Sequence, residues 1–325
     1  MAFRQHRSRQ ASSAVVSHLL RCVTTVSLTV VALAGCGPTA PAQVATQAGA
    51  LAQVAVTGDA TKEPTVTIAS APLTVTGVEK RILTAGSGPA LQKSDLAAVQ
   101  LQVHNGTNGS LAMSTWGGRT PGRIDMSSPG TLPILIDQLE GARQGERLLF
   151  VALSSEAFGP EGNPPLGLEP TDPAVFVIDV VGVSKPLPAA TGVVVAPRPG
   201  LPTVLMDGTG PPRVRMPQTS APESTLSQPL VSGRGQKVVA GQLVRVAYTG
   251  YLWASGKRFA ADSSLTTPIG TSQSLPGWDR ALVGQSVGSR LLLVVPPAEG
   301  YGPQGKGDVG GTDTMVFVID VLAAI

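Results

Sequence analysis

The chain is poor in the residue types on which most side-chain catalysis depends. Of its 325 residues two are cysteine, Cys22 and Cys36, and three are histidine, His6, His18 and His104. Both cysteines stand in the first 36 residues, so no disulfide can brace the rest, which must rely on apolar cores. A single histidine beyond residue 18 excludes a histidine-based zinc site or a Ser-His-Asp triad in the C-terminal half. Charge of one sign is scarce too. Four of the 24 Lys and Arg (Arg4, Arg7, Arg9, Arg21) precede Cys36 and no Asp or Glu does, which leaves 20 positive against 21 negative charges. That balance, without a basic block, gives no electrostatic footprint for nucleic acid. Aromatics make up only 4% of the residues, so each one at a patterned position is informative.

What is present begins with an export pattern. Residues 1–21 carry arginines and no acids, and residues 22–34 (CVTTVSLTVVALA) form an apolar stretch of signal-peptide length, too short to span a bilayer. It ends in Leu33-Ala34-Gly35-Cys36, which resembles a bacterial lipobox. The resemblance implies that residues 1–35 are a signal peptide and that Cys36 carries a lipid, anchoring an extracytoplasmic protein to the cell membrane. The Ala/Gln/Thr-rich run after Gly37-Pro38 reads as a flexible tether over 36–53.

The remainder repeats itself. GARQGERLLFVALSSEAFGPEG (141–162) aligns without a gap on GQSVGSRLLLVVPPAEGYGPQG (284–305), at an offset of 143. AVFVIDVVGV (174–183) matches MVFVIDVLAAI (315–325), AGSG (85–88) faces SGRG (232–235), and EPTVTIA (63–69) faces PPRVRMP (211–217). The pattern is one duplicated unit, with copies at 54–183 and 203–325. Between them a Pro-rich stretch, 184–202, reads as a semi-rigid linker or a short strand. In Leu243–Tyr248 the alternation puts Val244, Val246 and Tyr248 on one face, whereas Leu291–Val295 and Val316–Val321 are apolar throughout, as in strands covered on both sides. Trp278 to Leu282 has helical spacing and Gly284 stops it. Each copy therefore reads as α+β, an antiparallel sheet wrapped around one short helix.

In the second copy VRVAYTGYLWASGKRF, DSS, LPGWDRALVGQSVGSRLLLVVPP, GYG and MVFVIDVL follow one another in an order and spacing that resemble the FKBP-type peptidyl-prolyl cis-trans isomerases. Tyr248, Phe259, Trp278, Tyr301 and Phe317 are five of the chain's twelve aromatics. Aromatic stripes are more often core than site, but Tyr301 stands between Gly300 and Gly302 in a loop after Pro296-Pro297, which suits a side chain leaning over a cleft. By resemblance Trp278 is the floor of a proline pocket and Tyr248, Phe259 and Phe317 its walls, completed by Leu275 and Val309. Leu275 would offer its N–H to the substrate, Tyr301 a hydroxyl, and Asp262 would be the pocket-edge aspartate. Two residues, Ala260-Ala261, intervene between Phe259 and Asp262, so that aspartate is out of its usual step. Val309-Gly310-Gly311 replaces a proline-rich loop and predicts a looser flap.

Such a pocket needs no cofactor, metal, nucleophile or acid–base pair. The implied clients are unfolded or partly folded exported proteins with X–Pro bonds. The first copy keeps the scaffold and loses the pocket: Leu135 faces Trp278, Phe158 faces Tyr301, and all three tyrosines lie in the second copy. His104 reads as a strand-end surface residue, and Asp125 with Ser127-Ser128 as a remnant of the Asp-Ser-Ser segment. That copy reads as a spacer or client-binding module. The competing reading makes both copies non-catalytic chaperone or binding modules, favoured by Ala260-Ala261 and Gly310-Gly311; Trp278 and Tyr301 favour the isomerase.

Overall fold

The computed structural model describes residues 49–325 apart from residues 119 and 207–209 and the side chain of residue 262. The described residues belong to one compact unit, Thr46–Ile325. Cys36, the apolar stretch before it and most of the proposed tether lie outside the described residues. Among the described residues no helix is long and apolar enough to cross a membrane.

The first half runs β1 (Val54–Thr57), β2 (Thr65–Ile68), β3 (Glu79–Thr84), β4 (Leu96–Asn105), β5 (Leu111–Ser114), β6 (Gly122–Asp125), α1 (Pro133–Leu139), β7 (Arg147–Leu153), α2 (Ser154–Phe158) and β8 (Pro173–Ser184). The second runs β9 (Gly192–Val194), β10 (Thr203–Leu205), β11 (Arg213–Arg215), β12 (Leu226–Gly233), β13 (Leu243–Leu252), β14 (Arg258–Pro268), α3 (Pro276–Leu282), β15 (Arg290–Val295) and β16 (Met315–Ala324). One sheet has the order β3-β7-β8-β4-β5, with β6 also on β4; the other has β12-β15-β16-β13-β14, with β9 added beyond β12. Every pairing within both sheets is antiparallel, and the fold is α+β.

The duplication extends to the irregularities. The ladder β3–β7 slips between Ile82 and Thr84, and β12–β15 slips between Pro229 and Val231. Likewise β4–β8 slips between Ala98 and Val99, and β13–β16 between Arg245 and Val246. Bulges re-aim side chains and add twist, so two coincident bulges tie the halves to one ancestral sheet geometry.

Apolar runs on both faces have two coverings. Leu291, Leu293, Val295, Phe317, Ile319 and Val321 face inward, packed with Trp278 and Leu282 of α3. Leu292, Val294 and Val316 face outward and are covered, with Tyr251 and Trp253, by Val204 and Val214 of the β10–β11 hairpin. The first half repeats this with the β1–β2 hairpin, whose Val54, Val56, Val66 and Ile68 cover Leu149, Val151, Val175 and Val177. A hairpin alone is marginal in water, and here the buried sheet face supplies its stability.

One ion pair per half fixes the hairpin loop. Arg147 Nε lies 2.6 Å from Asp179 Oδ1, and its Nη atoms donate to the carbonyls of Gly58 (2.8 Å) and Lys62 (2.9 Å) in the β1–β2 turn. The equivalent Arg290 binds both Asp320 oxygens at 2.6 and 2.7 Å, and its Nη1 reaches Met206 Sδ at 3.2 Å.

Two expectations change and one is decided between its alternatives. Residues 50–53 are no tether but a 3₁₀ turn, its Ala50 and Leu51 N–H groups held by the Glu79 carboxylate and their side chains buried. Of the two readings of 184–202, the short strand is found at Gly192–Val194, which joins the second sheet as an edge strand on β12. Asp125 is not the counterpart of the Asp-Ser-Ser segment, since it pairs with Leu96, the position that Leu243 holds opposite Pro268 at the far end of the other sheet. It serves instead as a clamp between the halves. Arg245 of β13 donates to Asp125, to the Ser127 hydroxyl (2.7 Å), to the Ser94 carbonyl (2.5 Å) and to Thr266 (3.0 Å). Burial alone would raise the Asp125 pKa, but hydrogen bonds from Ser127, Arg245 and Thr266 prevail and hold it below the usual carboxylate value.

Candidate active site

The pocket is assembled on the inner face of the second sheet by four elements. Helix α3 begins on Leu275, whose extended backbone and following Pro276 start the first turn, and ends before Gly284, which adopts φ 85°. Asp279 fastens the approach to that helix by accepting from the N–H groups of Gly270 and Ser272, both at 2.8 Å, and from the Ser274 hydroxyl. Burial pushes the Asp279 carboxyl up, but these bonds outweigh it and depress its pKa. The residue lay outside the expected site, although the Trp278-Asp279 pair carries it in plain view.

Trp278 is buried on the sheet with only 3% of its surface exposed. Its ring meets Tyr248 edge-on at 5.1 Å between centroids and Phe317 edge-on at 5.3 Å. Phe259 meets Phe317 at 5.7 Å and 85°, and Tyr248 lies 6.1 Å from Phe317. These are favoured quadrupole geometries, each worth about 0.5–1.5 kcal/mol beyond burial. Gly250 leaves room for Phe259, because a Cβ there would lie 2.5 Å from Phe259 Cζ. The Trp278 indole N–H is buried and has no hydrogen-bond partner among the described residues. Such a donor costs free energy until a partner arrives, and a carbonyl-rich ligand is one.

Val309 is buried in the same cluster, and Tyr248, Phe259, Leu275 and Tyr301 border it half-buried. Thus seven of the expected pocket residues come together: Tyr248, Phe259, Leu275, Trp278, Tyr301, Val309 and Phe317. Burial, reinforced by neighbouring Tyr248, raises the Tyr301 pKa, so its hydroxyl stays protonated and able to donate at neutral pH. Asp262 falls in β14, where the pairing slips from Tyr248 opposite Ser263 to Gly250 opposite Ala260. The extra residue is absorbed as a bulge beside Tyr248; the Asp262 side chain lies outside the described part of the structure.

The flap is fastened, contrary to the looseness expected from its glycines. Lys306 N–H donates to the Val309 carbonyl (2.8 Å), Val309 N–H to Lys306 (3.1 Å), and Gly310 N–H to Asp313 (2.8 Å). A Cβ at Gly311 would run into the Pro303 carbonyl, so glycine here permits close packing.

In the first half the same positions are filled differently. By ladder register Leu101 replaces Tyr248 and Ala112 replaces Phe259. Leu135 stands for Trp278 and packs at the core margin. Phe150, in the place of Leu293, stacks on Phe176 at 4.4 Å and 8°, and Phe158 lies 5.8 Å from that ring. The aromatic bulk comes up from the sheet and occupies the space. His104 is not a surface residue: it is buried, its Nε2 is 3.2 Å from Gln102 Oε1, and desolvation lowers its pKa despite a bond to Gly109 that raises it.

An aromatic-walled site bordered by the Tyr248 and Tyr301 phenols suits an apolar ring such as that of proline. Comparison with known proteins agrees with this. Residues 234–322 match the family model described as FKBP-type peptidyl-prolyl cis-trans isomerase. A probable FK506-binding protein of Corynebacterium glutamicum is 31% identical over 115 residues, which cover 35% of this chain and 98% of that protein. The FK506-binding protein of Streptomyces anulatus is 32% identical over 118 residues, 34% of this chain and 95% of that one. Human peptidyl-prolyl cis-trans isomerase FKBP14 is 34% identical over 113 residues, but only 53% of its length is covered. The chain belongs to the FKBP-type peptidyl-prolyl cis-trans isomerase family.

Proposed function

We propose that the second half isomerises X–Pro bonds of exported, incompletely folded proteins at the outer face of the cell membrane, to which Cys36 tethers it. The observation that carries the catalytic part is the edge-on cluster of Trp278, Tyr248, Phe259 and Phe317, of which the first half keeps only the last, as Phe176, and has Leu135, Leu101 and Ala112 for the others.

An X–Pro bond rotates over a barrier of about 18–20 kcal/mol that reflects lost amide resonance. The planar amide is more polar than the twisted one, so water favours the ground state. Seating the proline ring on Trp278 among Tyr248, Phe259 and Phe317 removes that solvation. The Tyr301 hydroxyl and the Leu275 N–H would then hold the carbonyls flanking the twisted bond. Protons and electrons stay where they are.

The test is the rate of prolyl isomerisation by the full chain, with and without FK506, the ligand for which two of the relatives are named. Catalysis abolished by the macrolide supports the pocket; a folded chain with no catalysis refutes it. The membrane part is tested by detergent partitioning, with wild type expected in the detergent phase and Cys36→Ala in water.

A further inference from the structure

We propose that Lys306 is a specificity-determining residue of the isomerase, favouring X–Pro segments in which the residue before proline is acidic. The inference rests on the isomerase reading above and extends it to the substrate. Lys306 Nζ stands 5.5 Å from the centroid of the Tyr301 ring, at the lip of the aromatic cluster. Its backbone is held by reciprocal hydrogen bonds with Val309, whose side chain is buried among the pocket residues. The root of the lysine is therefore fixed relative to the pocket, and its exposed ammonium faces whatever passes Tyr301.

Three described carboxylates near Lys306 in sequence are engaged elsewhere. Asp308 is paired with Lys257 at 3.1 Å, Glu299 with Arg280 at 2.8 Å, and Asp313 accepts the Gly310 N–H. Among the described residues Lys306 has no carboxylate partner. With the proline ring on Trp278 and the preceding carbonyl bound by Tyr301 as proposed above, the side chain of that preceding residue would come close to Lys306, which stands beside Tyr301. A carboxylate there gains attraction at an exposed rim, and a lysine meets repulsion.

The experiment measures kcat/KM of the full chain for three peptides with Glu, Ala or Lys before proline, at low and at about 1 M salt, where the Debye length falls to about 3 Å. The Glu:Lys ratio in wild type should be about fivefold at low salt and collapse at high salt. It should fall to about one in Lys306→Met and invert in Lys306→Glu. Equal Glu and Lys rates in wild type, or a ratio untouched by Lys306→Glu, would overturn the assignment while turnover of the Ala peptide leaves the isomerase reading intact. No turnover of any peptide by the wild type would overturn both.

Discussion

The two halves share strand order, bulges, covering hairpins and the Arg–Asp pair, yet only one has an aromatic cleft. The difference is a redistribution of volume across one helix–sheet contact. In the second half Gly277 lets α3 sit close to Val295, where a Cβ would be 2.8 Å from Val295 Cγ1, and Trp278 supplies the bulk from the helix. In the first half Ile134 stands for Gly277 and Ala152 for Val295, while Phe150 and Phe176 fill the core from the sheet. The first half thus carries its aromatic bulk on the sheet, where the second carries it on the helix. Asp279, which fastens the approach to α3, has Ile136 as its counterpart, so the polar fixing of the pocket is lost with the pocket. A scaffold thus survives duplication through its apolar pattern, while a site survives only where particular side chains stay.

The largest expected effect concerns what the halves share. Arg147→Leu removes one partner of a pair whose side chains are only 2% and 3% exposed, and should cost about 3–5 kcal/mol in urea unfolding. Arg290→Leu, in a pair whose side chains are 17% and 11% exposed, should cost less. An equal or reversed order would show that burial of the pair does not distinguish the halves.

Exchange at the helix comes next. Trp278→Leu installs the residue that the first half tolerates, so the chain should fold and lose roughly 2 kcal/mol of transition-state stabilisation, about thirtyfold in kcat/KM. The converse, Leu135→Trp, crowds a helix already facing the stacked Phe150 and Phe176, and should lower stability by about 1–3 kcal/mol without raising activity. Gain of activity there would mean that a recess exists in the first half. The smallest effect is Tyr301→Phe, which removes one oxygen; a hydrogen bond of about 1 kcal/mol predicts a several-fold fall in kcat/KM with unchanged stability.

The duplication, the α+β class and the aromatic set were legible in the sequence because apolar periodicity and aromatic identity are local signals. Double covering of the apolar runs was legible as well, from Leu291–Val295. What was not legible depends on register and long-range contact. The roles of Arg147 and Arg290 lay hidden in the repeated Arg-Leu-Leu, because their partners Asp179 and Asp320 are some thirty residues away. Asp125 resembled a pocket remnant until its pairing with Leu96 placed it against Arg245. Gly310 and Gly311 suggested slack, whereas close backbone approach explains Gly311. His104 is enclosed by a residue two places back in its own strand and by the following loop, neither of which composition reveals.

The most direct test is kcat/KM for prolyl isomerisation by the full chain carrying Trp278→Leu and Tyr301→Phe together. This variant gives the second half the residues of the first at both positions. The account predicts a chain that unfolds as cooperatively as wild type, with kcat/KM lower by about a hundredfold or more. A folded double variant that isomerises as fast as wild type would contradict it, because catalysis would then reside outside the aromatic cleft.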